Sequence, residues 1–207
     1  NKGVSLGQSI SLNSNGLIGT VDENIFLSAC KGGNLNIVKR IINYNKVLDN
    51  YSTIFRGLFA ASGHSNNPYL AQYLYDKLSE KRKVDLEYKI KEQTLLYKAS
   101  KRGNYKVVEF LLKKGAYVNS INGRLGCTPL YISCLGGKPE TGMTLVKNRT
   151  KPELNIKTSE NLQTPLHAAC TFGNFEIIEF LLTYPLTSSE INCNLYESQN
   201  RPPIPTA

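Results

Sequence analysis

The sequence predicts an all-α fold: a solenoid of about five stacked helix-turn-helix repeats, with hairpin fingers between them. Three observations predict it. A unit of two short, apolar-faced helices recurs along the chain, its spacing stays near one period, and the same small residue and apolar doublet return in each copy.

The clearest copy runs from Thr164 to Leu182 and opens Thr164-Pro165-Leu166-His167-Ala168-Ala169. Thr94 to Leu112 and Asn24 to Ile42 match it position by position. Weaker copies run from Leu58 to Leu74 and from Thr128 to Val146. Ala29, Ala61, Ala99, Ser133 and Ala169 mark the shared register, at intervals of 32, 38, 34 and 36 residues.

Each element has a local cause. Thr164 and Thr128 are N-cap residues, because a hydroxyl accepts one of the N–H groups that the first turn leaves unpaired. Pro165 and Pro129 follow at the first helical position, where a fixed φ suits the helix and the missing N–H costs nothing. Small residues such as Ala168 and Ala169 admit a neighbouring helix closely. Gly33, Gly103, Gly137 and Gly173 stop the first helices, since glycine enters the left-handed region without a Cβ penalty. The second helices carry Ile37, Val38, Ile41 and Ile42, then Val107, Val108, Leu111 and Leu112, then Ile177, Ile178, Leu181 and Leu182. That spacing makes one apolar face. A two-turn helix is unstable alone, so each must bury its stripe against its neighbours.

Three departures carry expectations of their own. Ser65-Asn66-Asn67-Pro68 is one residue longer than the usual Gly-Asn turn; Asn tolerates a left-handed turn and Pro68 suits the start of a second helix. Gly142 stands where other copies carry a large aliphatic, which predicts a poorly packed or displaced second helix. The charged stretch from Leu78 to Gln93 replaces a hairpin, and a helical extension is expected there.

The motif Thr-Pro-Leu-His-x-Ala and the period of about 33 residues are those of one repeat class. From about Asp22 to Leu182 the chain resembles the ankyrin-repeat family. The resemblance places repeats near residues 22–52, 53–90, 91–124, 125–160 and 161–192, in an array over 21–190. Residues 1–20 read as irregular or as the end of a preceding repeat, and 193–207 as the start of a further repeat, since Ala207 falls 38 residues after Ala169. The resemblance also implies that His167 bonds the backbone and the capping Thr164, and that partners are met by the finger turns and the first-helix ends. By register that surface comprises Arg124 and Gln163 near the finger tips, with Lys31, His64, Lys101, Arg102, Thr171 and Phe172 at the helix ends. A large aromatic such as Phe172 can anchor a partner; equally, it can cover the neighbouring repeat.

Composition narrows the function. With 207 residues, 41% hydrophobic and 20% charged, the chain can bury a core and is not a wholly disordered segment. The net charge of +9 is dispersed: between Asp76 and Glu92 bases nearly balance acids, and Lys81-Arg82-Lys83 lies between Glu80 and Asp85, which reads as a solvated helix face. Dispersed positive charge favours acidic partners mildly. No run reaches the roughly 20 apolar residues of a membrane span. Asn50-Tyr51-Ser52 and Asn148-Arg149-Thr150 fit a sequon that arises often by chance.

Nothing assembles a catalytic or metal centre. Cys30, Cys134 and Cys170 share one repeat position; stacked helices separate such positions by about 8–10 Å, too far for a disulfide or convergent zinc ligation. They read as interior spacers, and Cys127 and Cys193 as turn thiols of a reducing compartment. Two histidines, His64 and His167, make no nucleophile–base–orienter set. No cofactor is expected. The leading expectation is an intracellular interaction scaffold, cytoplasmic or nuclear, that binds another protein with an acidic surface. A regulatory region of a larger enzyme is the alternative, and a basic nucleic-acid binder ranks below both.

Overall fold

The computed structural model describes residues 22–45, 48–150 and 152–183. Expectations for 1–20, 193–207 and Cys193 lie outside those residues. Ten helices are present among them, in five consecutive pairs. They are α1 (Glu23–Gly32) and α2 (Leu35–Tyr44), α3 (Tyr51–His64) and α4 (Pro68–Ser79), α5 (Leu95–Arg102) and α6 (Tyr105–Lys113), α7 (Pro129–Leu135) and α8 (Pro139–Val146), α9 (Pro165–Thr171) and α10 (Phe175–Thr183). The first helices α1, α3, α5, α7 and α9 pack on one another in order, and so do the second helices α2, α4, α6, α8 and α10. The result is an all-α solenoid of two layers.

The first helices start alike. Asp22, Asn50, Thr94, Thr128 and Thr164 each accept, through a side-chain oxygen, the N–H three residues on, at 2.9–3.5 Å. Each such cap stabilises its helix by about 1 kcal/mol. Thr164 also holds its Oγ1 2.7 Å from His167 Nδ1, which accepts the Thr164 N–H at 3.4 Å. At the other end Gly33, Gly103, Gly137 and Gly173 have φ of 74°, 79°, 58° and 65°.

The core lies between the layers. Val38, Ile41, Leu70, Leu74, Val107, Leu111, Leu145, Ile177 and Leu181 come to it from the second helices, and Phe26, Leu58, Leu96, Leu130 and Ala169 from the first. Full burial of such an aliphatic contributes about 1.5–3 kcal/mol relative to exposure. Between pairs, short fingers bond edge to edge. Ile90 and Gln93 exchange backbone hydrogen bonds, as do Asn122 and Cys127. Gly123 N–H then donates to Glu92 C=O at 3.0 Å, and Ser159 N–H to Leu125 C=O at 2.8 Å.

Asparagines tie one pair to the next. Asn67 Nδ2 donates to Gly33 C=O at 2.9 Å, Asn104 Nδ2 to Ser62 C=O at 2.8 Å, and Asn174 Nδ2 to Cys134 C=O. Lys138 occupies this place before α8 and makes no side-chain cap.

Several expectations are corrected. α8 is neither poorly packed nor displaced: Thr141, Gly142, Leu145 and Val146 are buried in it. The space a large side chain would fill at 142 is taken by Ile177 of α10, whose Cδ1 a Cβ there would overlap. The longer turn after α3 is not left-handed, since Ser65 is extended at φ −126° and Asn67, also extended, caps α4 ahead of Pro68. The stretch after α4 is not helical beyond Ser79; Val84 and Leu86 are buried there, anchoring a loop instead. Cys170 is exposed rather than interior, because among the described first helices only α7 packs on α9.

Candidate binding surface on the first-helix ends

Lys31, His64, Lys101 and Arg102 all lie exposed in the last turns of α1, α3 and α5. Cations at helix C-termini offset the negative end of the macrodipole, so Lys31, Lys101 and Arg102 have a local reason to be there. Stacking three such ends side by side concentrates the charge. Burial, then the positive charges of Arg102, Lys98 and Lys31, hold the His64 imidazole below its usual pKa of 6.5. Lys98 is likewise lowered, by burial first and then by Arg102, Lys101, Lys91 and Lys31. The charges that shift these two groups are positive.

Lys98 itself was not legible as a contact residue. It sits in the middle of α5, where the other copies carry Ser28, Ala60, Ile132 and Ala168. A long cation at a position of small or aliphatic residues was the available signal. Its stem lies across Gly63, where a Cβ would collide with it, and its ammonium rests 5.0 Å from the Phe59 ring centroid. Aromatic support of this kind partly offsets the loss of water around the charge.

The remaining candidates are placed elsewhere. Arg124 is exposed at the tip of the Asn122–Cys127 finger. Gln163 is half-buried, and its Oε1 accepts the Tyr131 hydroxyl at 3.0 Å, which ties it to α7. Thr171 is exposed, with its hydroxyl donating back to His167 C=O at 2.9 Å. Phe172 is 60% exposed two repeats beyond α5, and Phe175, which sequence reasoning passed over, is 80% exposed on the same pair. Four of the eight candidates therefore gather into one basic surface; the other four spread along the fingers and α9.

Burial pushes the Cys30 and Cys134 thiols up to about 12, which keeps them protonated and poorly nucleophilic. No group of three or more His, Cys, Asp or Glu among the described residues is placed to hold a metal ion. No helix among them is long and apolar enough to cross a membrane.

Comparison with known proteins agrees with this geometry. A family profile described as ankyrin repeats (three copies) matches residues 25–122 and 96–196. The chain is 34% identical over 112 residues to a putative ankyrin repeat protein of Rickettsia felis, an alignment covering 54% of this chain and 46% of that one. It is 31% identical over 99 residues to a putative ankyrin repeat protein of fowlpox virus, covering 47% and 16%. It is 35% identical over 78 residues to the ankyrin repeat and KH domain-containing protein mask-1 of Caenorhabditis elegans, covering 38% and 3%. The chain thus spans less than half the length of each of these relatives. Ankyrin repeats generally mediate protein–protein interaction, and the family is typically non-catalytic. Its repeated helix pairs, asparagine ties and bonded fingers, together with the matched profile, place this chain in the ankyrin-repeat family.

Proposed function

We propose that this array is a non-catalytic interaction scaffold whose first-helix face binds an acidic segment of another protein. The observation that carries the proposal is the stacking of exposed Lys31, Lys101 and Arg102 around His64 and Lys98 at the ends of α1, α3 and α5, where their positive charges shift both groups. Confining several cations to one face raises the energy of the unbound state, and an acidic segment relieves that repulsion. Lys98 is pre-placed by Gly63 and Phe59, so little of its side-chain freedom is lost on binding. Phe172 and Phe175 extend the surface with apolar contact area two repeats away. The buried thiols fit a reducing intracellular compartment.

The test is binding of a labelled poly-glutamate peptide to the chain and to the Lys101→Ala/Arg102→Ala variant, across salt. Removal of two charge-assisted contacts should weaken binding about tenfold. Added salt should weaken the original chain more than the variant. Equal affinity of both proteins at every salt concentration would contradict the proposal.

A further inference from the structure

The connection between α4 and α5 builds a cleft against the start of α3. Residues 81–91 fold back toward the start of α3 and leave an open cleft of about 950 Å³. That volume falls within the range of ligand sites. Tyr51, Phe55 and Tyr88 supply rings to its lining, and Arg82, Lys83 and Lys91 supply charge.

The lining is organised rather than merely basic. Lys81 pairs with Asp49 at 3.2 Å and Arg56 with Glu23 at 3.1 Å, so these two cations are already matched. Lys89 Nζ donates to Ile121 C=O at 2.7 Å. Asp85, the acid in the lining, accepts the Glu87 N–H at 2.9 Å and turns the loop. Arg82 stacks its guanidinium 3.7 Å from the Tyr51 ring centroid, which fixes its plane and its row of donors. Lys83 and Lys91 form no ion pair among the described residues. Lys91 is also held at φ 51°, in the left-handed region that non-glycine residues seldom enter. Such strain persists only where surrounding structure imposes it. At the finger tip it puts Lys91 on the rim of the cleft and within electrostatic reach of Lys98.

Ring geometry selects the ligand. Phe55 is buried and the Tyr51 face is covered by Arg82, while Tyr88 is 58% exposed and braced edge-on by Phe55 at 5.4 Å. One open ring suits one aromatic side chain. A single strand of nucleic acid needs successive stacking platforms along a continuous basic track.

We propose that the cleft between the start of α3 and the 81–91 loop is a second binding site, which takes an anionic side chain and an adjoining aromatic ring of an acidic peptide. Arg82 presents a planar pair of donors to the carboxylate, Lys83 and Lys91 add charge, and Tyr88 stacks on the ring. The site does not depend on the first-helix face, although Lys91 borders both.

The chain contains no tryptophan, so Tyr88→Trp places a unique fluorophore in the cleft. Titration with a poly-glutamate peptide carrying one central phenylalanine should shift its emission saturably. Arg82→Ala/Lys83→Ala in that background should weaken binding about tenfold, whereas Lys101→Ala/Arg102→Ala should leave the emission titration nearly unchanged. The same peptide bearing a fluorescein label, titrated into chains that keep Tyr88, repeats the comparison without the reporter. An absent emission shift together with no effect of the Arg82/Lys83 pair on the labelled peptide would overturn the proposal. Tighter binding of oligothymidylate than of the peptide would overturn the choice of ligand. Failure of the first-helix reading shows differently: the Lys101/Arg102 pair leaves the labelled peptide unaffected while the tryptophan still responds.

Discussion

His64 reports on the basic surface because its charge state depends on its neighbours. Burial and the nearby cations hold its pKa below 6.5 in the folded chain, while the unfolded chain returns to the ordinary histidine range. Between those two values the unfolded state binds more protons, so stability rises with pH there; below both, the penalty on the folded state is fully present. Because the chain has only two histidines, a proton NMR titration resolves this group cleanly. His64 should titrate below 6.5, move upward in Arg102→Ala, and move upward again when an acidic peptide binds. A midpoint insensitive to both changes would show that the cluster does not act on it. Lys98 belongs to the same scale. It looked like an ordinary helix residue in the sequence because its effect depends on Gly63 and Phe59, one repeat earlier in the chain.

Asparagine ties set how firmly successive helix pairs hold together. Asn104 spends its amide on Ser62 C=O in the previous pair and makes no side-chain cap of its own helix. Asn104→Ala leaves that carbonyl buried without its donor and should cost about 1–3 kcal/mol in urea unfolding. Lys138→Asn should restore the tie that α8 lacks and add about 0.5–1.5 kcal/mol by the same measurement. A loss from both substitutions would show that the tie is not what joins the pairs. At this scale the sequence was most readable where helices follow short-range rules: caps, turn glycines and the apolar doublets of α2, α6 and α10. It was misleading at Gly142, where the missing side chain is supplied by Ile177 from the following repeat. It was also misleading after Ser79, where Val84 and Leu86 pull a charged stretch into a loop. Both outcomes depend on contacts between repeats, which no local pattern encodes.

Stacking converts a per-repeat residue choice into a surface. Lys31, His64 and Lys101 are 33 and 37 residues apart along the chain, yet they share one face because α1, α3 and α5 pack in register. The register was legible from the small residues Ala29, Ala61 and Ala99. The sign of the face was only hinted at by Lys31 and Lys101-Arg102. The cleft beside α3 was not legible, since it forms only where buried Val84 and Leu86 fold the 81–91 loop back toward α3. Carbodiimide crosslinking of a bound poly-glutamate peptide, read by mass spectrometry, tests the whole arrangement most directly. Lys31, Lys98 and Lys101 should be joined to the peptide together, ahead of Lys39, Lys106 and Lys113 on the second helices. Crosslinks distributed evenly over both helix layers would contradict a binding face built from the first-helix ends.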